Sequence, residues 1–232
     1  MAEEYLGPAA ELVHELQAPL TVLRARLEAG IESSSCDSGC KQLLRQCLDE
    51  VNEINQTVVD ILLLEKADSG QLVVEPSPCD LSQFVSAVGA HFEPLASSRG
   101  VDFTVDVERH LYIKANEGHL KRVLSNLVEN ALKYTPEGGQ VSIDVRRSDA
   151  SIEVRIADTG CGVPAESLEH IFDRFYRVAG NRETAGVGLG LSIARTLARI
   201  NGGTIDIEST EGKGSCFTLR FPVFHAPLRN PR

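Results

Sequence analysis

The stretch Leu12 to Glu28, LVHELQAPLTVLRARLE, places the strongest constraint on what this chain can fold into. Val13, Leu16, Leu20, Leu23 and Leu27 recur at alternating steps of three and four, the spacing that lines one face of an α-helix and forms the seam of a left-handed helical bundle. After a turn-like Ser33–Gly39, the pattern resumes from Cys40 with Leu44, Cys47, Val51, Ile54, Val58 and Ile61. It ends near Asp68-Ser69-Gly70, where Gly70 suits a C-cap. The two segments read as a helical hairpin. A hairpin with one apolar stripe per helix cannot bury both stripes alone, so a second copy completing a four-helix bundle is the economical solution. Packing against the remainder of its own chain is the alternative.

His14 follows a seam position by one residue, so its imidazole is expected at the edge of the packed face, in reach of solvent, with Glu15 at the next position round. Pro19 lacks an N–H for the carbonyl of Glu15 and crowds it, which is expected to loosen the helix one turn past the histidine. Upstream, Gly7-Pro8 breaks the pattern, and Pro8 suits the first turn of the helix carrying His14. Glu3–Leu6 is compatible with a short helix of its own.

A chain of 232 residues accommodates two small domains. Its formal charge of −10 offers no broad basic surface for nucleic acid or anionic lipid. No apolar run reaches the roughly 18 residues of a membrane span, and Met1–Ala10 lacks the apolar segment of a signal peptide, so the chain as given reads as soluble and cytoplasmic. Six cysteines are scattered through a chain large enough to fold without staples, which favours thiols in a reducing compartment. Cys36 and Cys40, flanking Asp37-Ser38-Gly39, are the one pair spaced for metal or redox chemistry, but further ligands are missing nearby.

The spacing predicts a hairpin domain over 1–72, an extended proline-containing linker or edge strand over 73–80, a second domain over 81–224 and a frayed tail over 225–232. Within the second domain, Asp80-Leu81-Ser82-Gln83 reads as a capping box opening a helix to about Ser97, disturbed at Pro94. Strands are expected at Val101–Val107, Leu111–Ile113, Gln140–Arg147, Ser151–Asp158, Gly203–Ser209 and Ser215–Phe221, and helices at Glu117–Lys133 and Leu189–Ile200. This order indicates an α+β sandwich with helices layered on one face of a sheet.

Four stretches of that domain carry chemistry. Asn126, Asn130, Lys133 and Tyr134 fall at steps of four, three and one on one helix, where carboxamide oxygens can ligate a hard cation and the lysine can meet phosphate. Asp158-Thr159-Gly160-Cys161-Gly162 follows a strand, so backbone can approach a flat ligand while the carboxylate accepts an exocyclic N–H. Arg174, Arg177 and Arg182 lie in or after Phe172-Asp-Arg-Phe-Tyr-Arg and can screen negative charge. Gly186-Val-Gly188-Leu-Gly190 opens a helix whose backbone N–H groups can bind phosphate. A dinucleotide fingerprint does not fit these glycines, because no strand leads directly into them. Gly212-Lys-Gly214-Ser215 is a further glycine-rich turn.

His-Glu-Leu-Gln-Ala-Pro-Leu-Thr and the four downstream stretches resemble, in family order, the phosphoacceptor box and the nucleotide boxes of bacterial sensor histidine kinases, from about Glu11 to Pro222. The resemblance implies a dimeric helical hairpin joined to an ATP-binding domain of the histidine kinase and gyrase ATPase type. It implies that Asn130 holds Mg²⁺, that Asn126 supports the metal and triphosphate region, and that Lys133 reaches phosphate with Tyr134 near the nucleotide. Asp158 would take the adenine amino group beside Gly160 and Gly162. Residues 178–187 would form a lid, with Arg174, Arg177, Gly186, Gly188 and Gly190 around the phosphates. Mg²⁺-ATP would then phosphorylate His14, assisted by Glu15, and the phosphoryl group would pass to an aspartate on a response regulator receiver domain. The parent would reach the bacterial inner membrane through upstream segments. Two other readings are a fold relative that hydrolyses ATP and a nucleotide-binding scaffold without phosphotransfer. The hydrolysing relatives carry a general-base Glu where this chain has Asn126, and neither His14 nor Asn130 is lost. Ala18 stands where many such kinases carry a Thr or Asn that positions water for dephosphorylating the regulator, which implies weak phosphatase activity.

Overall fold

A computed structural model describes residues 8–32, 37–148, 151–178 and 187–224, and, in the first helix, side chains from Leu16 onward. Glu3–Leu6, residues 33–36 of the expected turn and the tail from Ala226 lie outside the described residues. The chain divides into two compact units, one ending at Val73 and the other beginning at Val74.

The first unit is a helical hairpin of α1 (Pro8–Glu32) and α2 (Ser38–Asp68). α1 runs through Pro19 without a break. The turn expected to last to Gly39 is shorter, because Asp37 adopts an extended conformation and its Oδ1 accepts the Cys40 N–H at 2.7 Å, capping α2 from Ser38. Leu20 and Ile61 pack on buried Val58 and Leu62, while Leu44 closes on Gly30. The stripes are only partly covered, with Leu16 43% exposed, Leu23 45% and Ile54 52%, and Leu43, outside the stripe, is 60% exposed.

The second unit begins with β1 (Ser77–Asp80), which runs directly into α3 (Leu81–Ser98). β2 (Asp102–Val107), β3 (Tyr112–Ala115) and α4 (Glu117–Tyr134) follow, then the hairpin β4 (Gln140–Arg147) and β5 (Ser151–Asp158). α5 (Gly190–Ile200), β6 (Thr204–Thr210) and β7 (Gly214–Pro222) complete it. Part of the extended stretch after Val73 is thus a strand: Ser77–Asp80 pairs antiparallel with β3, and Pro78 is tolerated because this sheet has only two strands. The main sheet has the order β2-β4-β5-β7-β6, antiparallel except for β2 with β4.

Period-two alternation puts Val141, Ile143 and Val145, then Ile152, Val154 and Ile156, then Phe217, Leu219 and Phe221 on one buried face. The register aligns Ile143, Ile156, Phe217 and Ile207 in one row and Val145, Val154, Leu219 and Ile205 in the next. α3 covers β2, α4 crosses β5 and α5 packs on β6, giving the expected α+β architecture with helices on one face. The opposite face carries ion pairs, including Arg220 with Glu153 at 2.8 Å and Arg220 with Asp206.

Asp80 caps α3 by accepting the Gln83 N–H at 3.1 Å, and the Gln83 amide returns to the same carboxylate at 3.2 Å instead of to the Asp80 backbone. Replacing Asp80 with Ala is expected to lower the stability of the second unit by about 1 kcal/mol, measured by urea unfolding, with the unfolding slope unchanged.

Candidate active site

α4 is two-faced. Leu120, Val123, Leu124, Leu127, Val128, Ala131 and Leu132 are buried, and Asn126, Asn130, Lys133 and Tyr134 remain half-buried. The Asn126 Nδ2–H donates to the Gly190 carbonyl at 2.9 Å, which holds the start of α5 against this polar stripe. The Lys133 ammonium lies 5.2 Å from the centre of the Tyr134 ring. Burial raises the Tyr134 phenol above its ordinary range, with Arg177 pulling it back and Cys161 adding to the rise.

The turn after β5 is stitched to the end of α4. The Cys161 N–H donates to the Tyr134 carbonyl at 3.3 Å, and a Cβ on Gly160 would stand 2.4 Å from that carbonyl oxygen. On its other side the turn meets the β6–β7 hairpin, where the Gly212 N–H donates to the Cys161 carbonyl at 2.7 Å. The Val163 N–H donates to Ser209 Oγ at 2.8 Å.

Asp158 sits at this junction. Its Oδ1 accepts N–H bonds from Gly160 at 2.8 Å and Ser215 at 3.3 Å. Burial raises the carboxyl pKa, and the two N–H bonds oppose that rise. Among the described residues no donor meets Oδ2, which is left as an acceptor for an exocyclic amine.

The Phe172–Arg177 stretch packs from a third side. Phe172 meets Phe217 edge-on at 6.5 Å and carries the Arg195 guanidinium 5.1 Å from its ring centre. Phe175 takes a left-handed φ of 63° and donates its N–H to the Gly188 carbonyl at 3.0 Å. Gly188, with φ of 82°, must be glycine, since a Cβ would lie 2.9 Å from the Phe175 carbonyl carbon and the Tyr176 oxygen. Gly190 differs, because its Cβ would meet only Asn126 at an ordinary 3.8 Å. α5 has no side-chain cap and no acid in its first turn, so its N–H groups and positive dipole end suit an anion.

These contacts link Asn126 to Gly190, Lys133 to Tyr134, the Tyr134 carbonyl to the Gly160–Cys161 turn, Asp158 to Gly160, and Gly188 to Phe175; Asn130 is half-buried on the same helix as Asn126, and Arg174 and Arg177 are half-buried in the Phe172–Arg177 stretch. Gly186 and Arg182 lie outside the described residues. His14 and Glu15 lie within α1, and the orientation expected for their side chains falls outside the described residues. Sequence reasoning missed Arg195 and Asn201, whose partners come from distant segments. Asn201 Oδ1 accepts the Asn116 N–H at 2.7 Å, and nothing local to its position signals that bond.

Comparison with known proteins finds two family matches along the chain. Residues 9–70 fit the His Kinase A (phospho-acceptor) domain, and residues 115–225 fit the histidine kinase-, DNA gyrase B-, and HSP90-like ATPase family. The solved catalytic domain of histidine kinase ThkA is 30% identical with a TM-score of 0.57, over 64% of this chain and 95% of that one. The chain belongs to the sensor histidine kinases. Sensor histidine kinase RppB of Synechocystis sp. is 34% identical over 94% of this chain and 49% of its own length, so the chain spans about half of that relative. Full-length ShkA, solved in complex with AMPPNP, is 26% identical with a TM-score of 0.79, over 95% of this chain and 47% of that one. ThkA solved with the response regulator protein TrrA is 25% identical with a TM-score of 0.66, over 93% of this chain and 60% of that one.

In this kinase chain Asp158→Asn separates ligand recognition from stability. The amide keeps an acceptor for Gly160 and Ser215 but turns an NH₂ toward a purine 6-amino group. Affinity for ATP is expected to fall at least about tenfold, with preference moving toward ITP, whose O6 is an acceptor. A raised carboxyl pKa means that the ionised form subtracts stability above that pKa, a cost that disappears as pH falls. Asparagine removes it, so thermal unfolding should show no loss of stability at neutral pH.

Proposed function

We propose that this chain is the catalytic core of a dimeric protein histidine kinase, which transfers the γ-phosphoryl group of ATP to His14 and then to an aspartate of a response regulator receiver domain. The observation that carries the reading is the meeting of Asp158, with an open acceptor oxygen, and the polar end of α4, downstream of a helical hairpin bearing His14-Glu15. The AMPPNP complex of ShkA and the ThkA complex with a response regulator support it. Exposed Leu16, Leu23, Leu43 and Ile54 support pairing of two hairpins.

Among the described residues no group of three His, Cys, Asp or Glu side chains could hold a metal, so an ion here would depend on a carboxamide and the nucleotide's own phosphates. Asn130 would supply that carboxamide, and Mg²⁺ would offset charge on the phosphates. In the transfer, the imidazole nitrogen forms a bond to the γ-phosphorus, the bond to the ADP oxygen breaks, and Glu15 takes or orients the ring proton. Lys133 and Arg177 screen the phosphates, and the uncapped start of α5 presents N–H groups to them. No helix among the described residues is long and apolar enough to cross a membrane.

Incubation with γ-labelled ATP and Mg²⁺ is expected to give acid-labile, base-stable label on His14, absent in His14→Gln while nucleotide binding survives. Label persisting in that variant would end the assignment. α1 is continuous, so exposed Ala18 lies one turn after His14 and offers neither donor nor acceptor to a water. The protein is therefore a weak phosphatase, and Ala18→Thr is expected to speed decay of a phosphorylated regulator in the presence of ADP. Rapid decay with the unmodified protein, persisting in His14→Gln, contradicts this.

A further inference from the structure

Two asparagine carboxamides hold α5 at its two ends. At the far end Asn201, 8% exposed, accepts the Asn116 N–H on Oδ1 at 2.7 Å and donates from Nδ2 to the Leu197 carbonyl at 2.7 Å. Asn116 is itself the N-cap of α4, accepting the His119 N–H at 3.0 Å, so this bond ties the end of α5 to the start of α4. At the near end Asn126, from the middle of α4, donates Nδ2–H to the carbonyl of Gly190, the first residue of α5.

We propose that Asn126 is a positioning residue, which fixes the phosphate-facing end of α5 to the Asn130 stripe of α4, and is not a ligand of the metal. The proposal rests on the nucleotide site described above. A carboxamide has one donating and one accepting end, and reversing it would set Oδ1 against a carbonyl oxygen. The bond therefore fixes which end faces α5. A second donor on the Gly190 carbonyl is compatible with its helical bond, since a carbonyl has two lone pairs. The eleven residues of α5 span about 16 Å. The Asn201 clasp therefore acts far from the start of α5, where, beside the packing of Leu189 and Ile193, the Asn126 carboxamide makes the side-chain bond from α4 to that end among the described residues. Space around Gly190 does not restrain it, because the nearest side-chain atoms to a Cβ there would be those of Asn126 at 3.8 Å.

Asn126→Asp distinguishes the two roles. A carboxylate is a better ligand for Mg²⁺ than a carboxamide, but it has no N–H for Gly190 and repels its carbonyl. The positioning role predicts that Asn126→Asp and Asn126→Ala both weaken ATP binding by the intact protein about tenfold, measured by calorimetry. The loss should be equal with Mg²⁺ and with EDTA, whereas Asn130→Ala should lose only the Mg²⁺-dependent part. A second measurement needs neither metal nor nucleotide: amide hydrogen exchange in the first turn of α5 should be several-fold faster in Asn126→Asp than in the unmodified protein. Exchange in the α4 core, around Leu127 and Val128, should be unchanged, which separates loss of the clasp from loss of the fold. Unchanged exchange at the start of α5, or a loss of affinity confined to the Mg²⁺ condition, would overturn the positioning role. An unmodified protein that binds no ATP would instead overturn the reading of the site, and this inference with it.

Discussion

The second unit depends on the contact between α4 and the apolar face of the sheet. Seven side chains of α4 are buried among the sheet and the neighbouring helices, and the six Leu and Val among them each stabilise the fold by about 1.5–3 kcal/mol. That burial fixes the rotation of α4 about its axis. Once the rotation is fixed, Asn126, Asn130 and Lys133 fall outside the buried stripe and Tyr134 at its edge, all half-buried. The polar stripe that builds the site is thus a by-product of how the opposite stripe packs.

Around that stripe the site is assembled mostly by backbone. Backbone bonds from Cys161 to Tyr134 and from Gly212 to Cys161 join three segments distant in sequence, and the Phe175 bond to Gly188 joins two more. Backbone groups have fixed lengths and cannot change rotamer, so the side chains between them inherit well-defined positions. This accounts for glycines that tolerate no Cβ. At Gly160 and Gly188 an added carbon would collide with main chain, which cannot move aside without opening the site. The half-buried carboxylate of Asp158 accepts the Gly160 and Ser215 amides, which offset part of the cost of its burial.

The hairpin obeys a different constraint. Its helices meet through Leu20, Val58, Ile61 and Leu62, yet leave Leu16, Leu23, Leu43 and Ile54 substantially exposed. Apolar area of this kind in two long helices is the driving force for a bundle of more than two. That area is what the proposed pairing of two hairpins would bury.

Much of this was legible before any coordinates. The 3.6-residue period of α1, α2 and α4, the alternation of β4, β5 and β7, and the caps at Asp80 and Gly70 are local properties, and local sequence determines them through side-chain spacing and turn chemistry. The order of the chemical stretches was legible too, because each uses residue types with few other purposes at that spacing. Over 73–80 the sequence left linker and edge strand both open, because the partner of Ser77–Asp80 lies more than thirty residues away and Pro78 suits either. The bond from Asn126 to Gly190 was not legible, nor were those of Asn201 and Arg195, because a carboxamide or guanidinium carries no mark of which backbone or ring will face it. The sequence by itself determined which elements form and which residues can do chemistry. Only the tertiary structure decided which of them touch, because pairing across 64 or 85 residues is set by how apolar faces stack and not by anything near either partner.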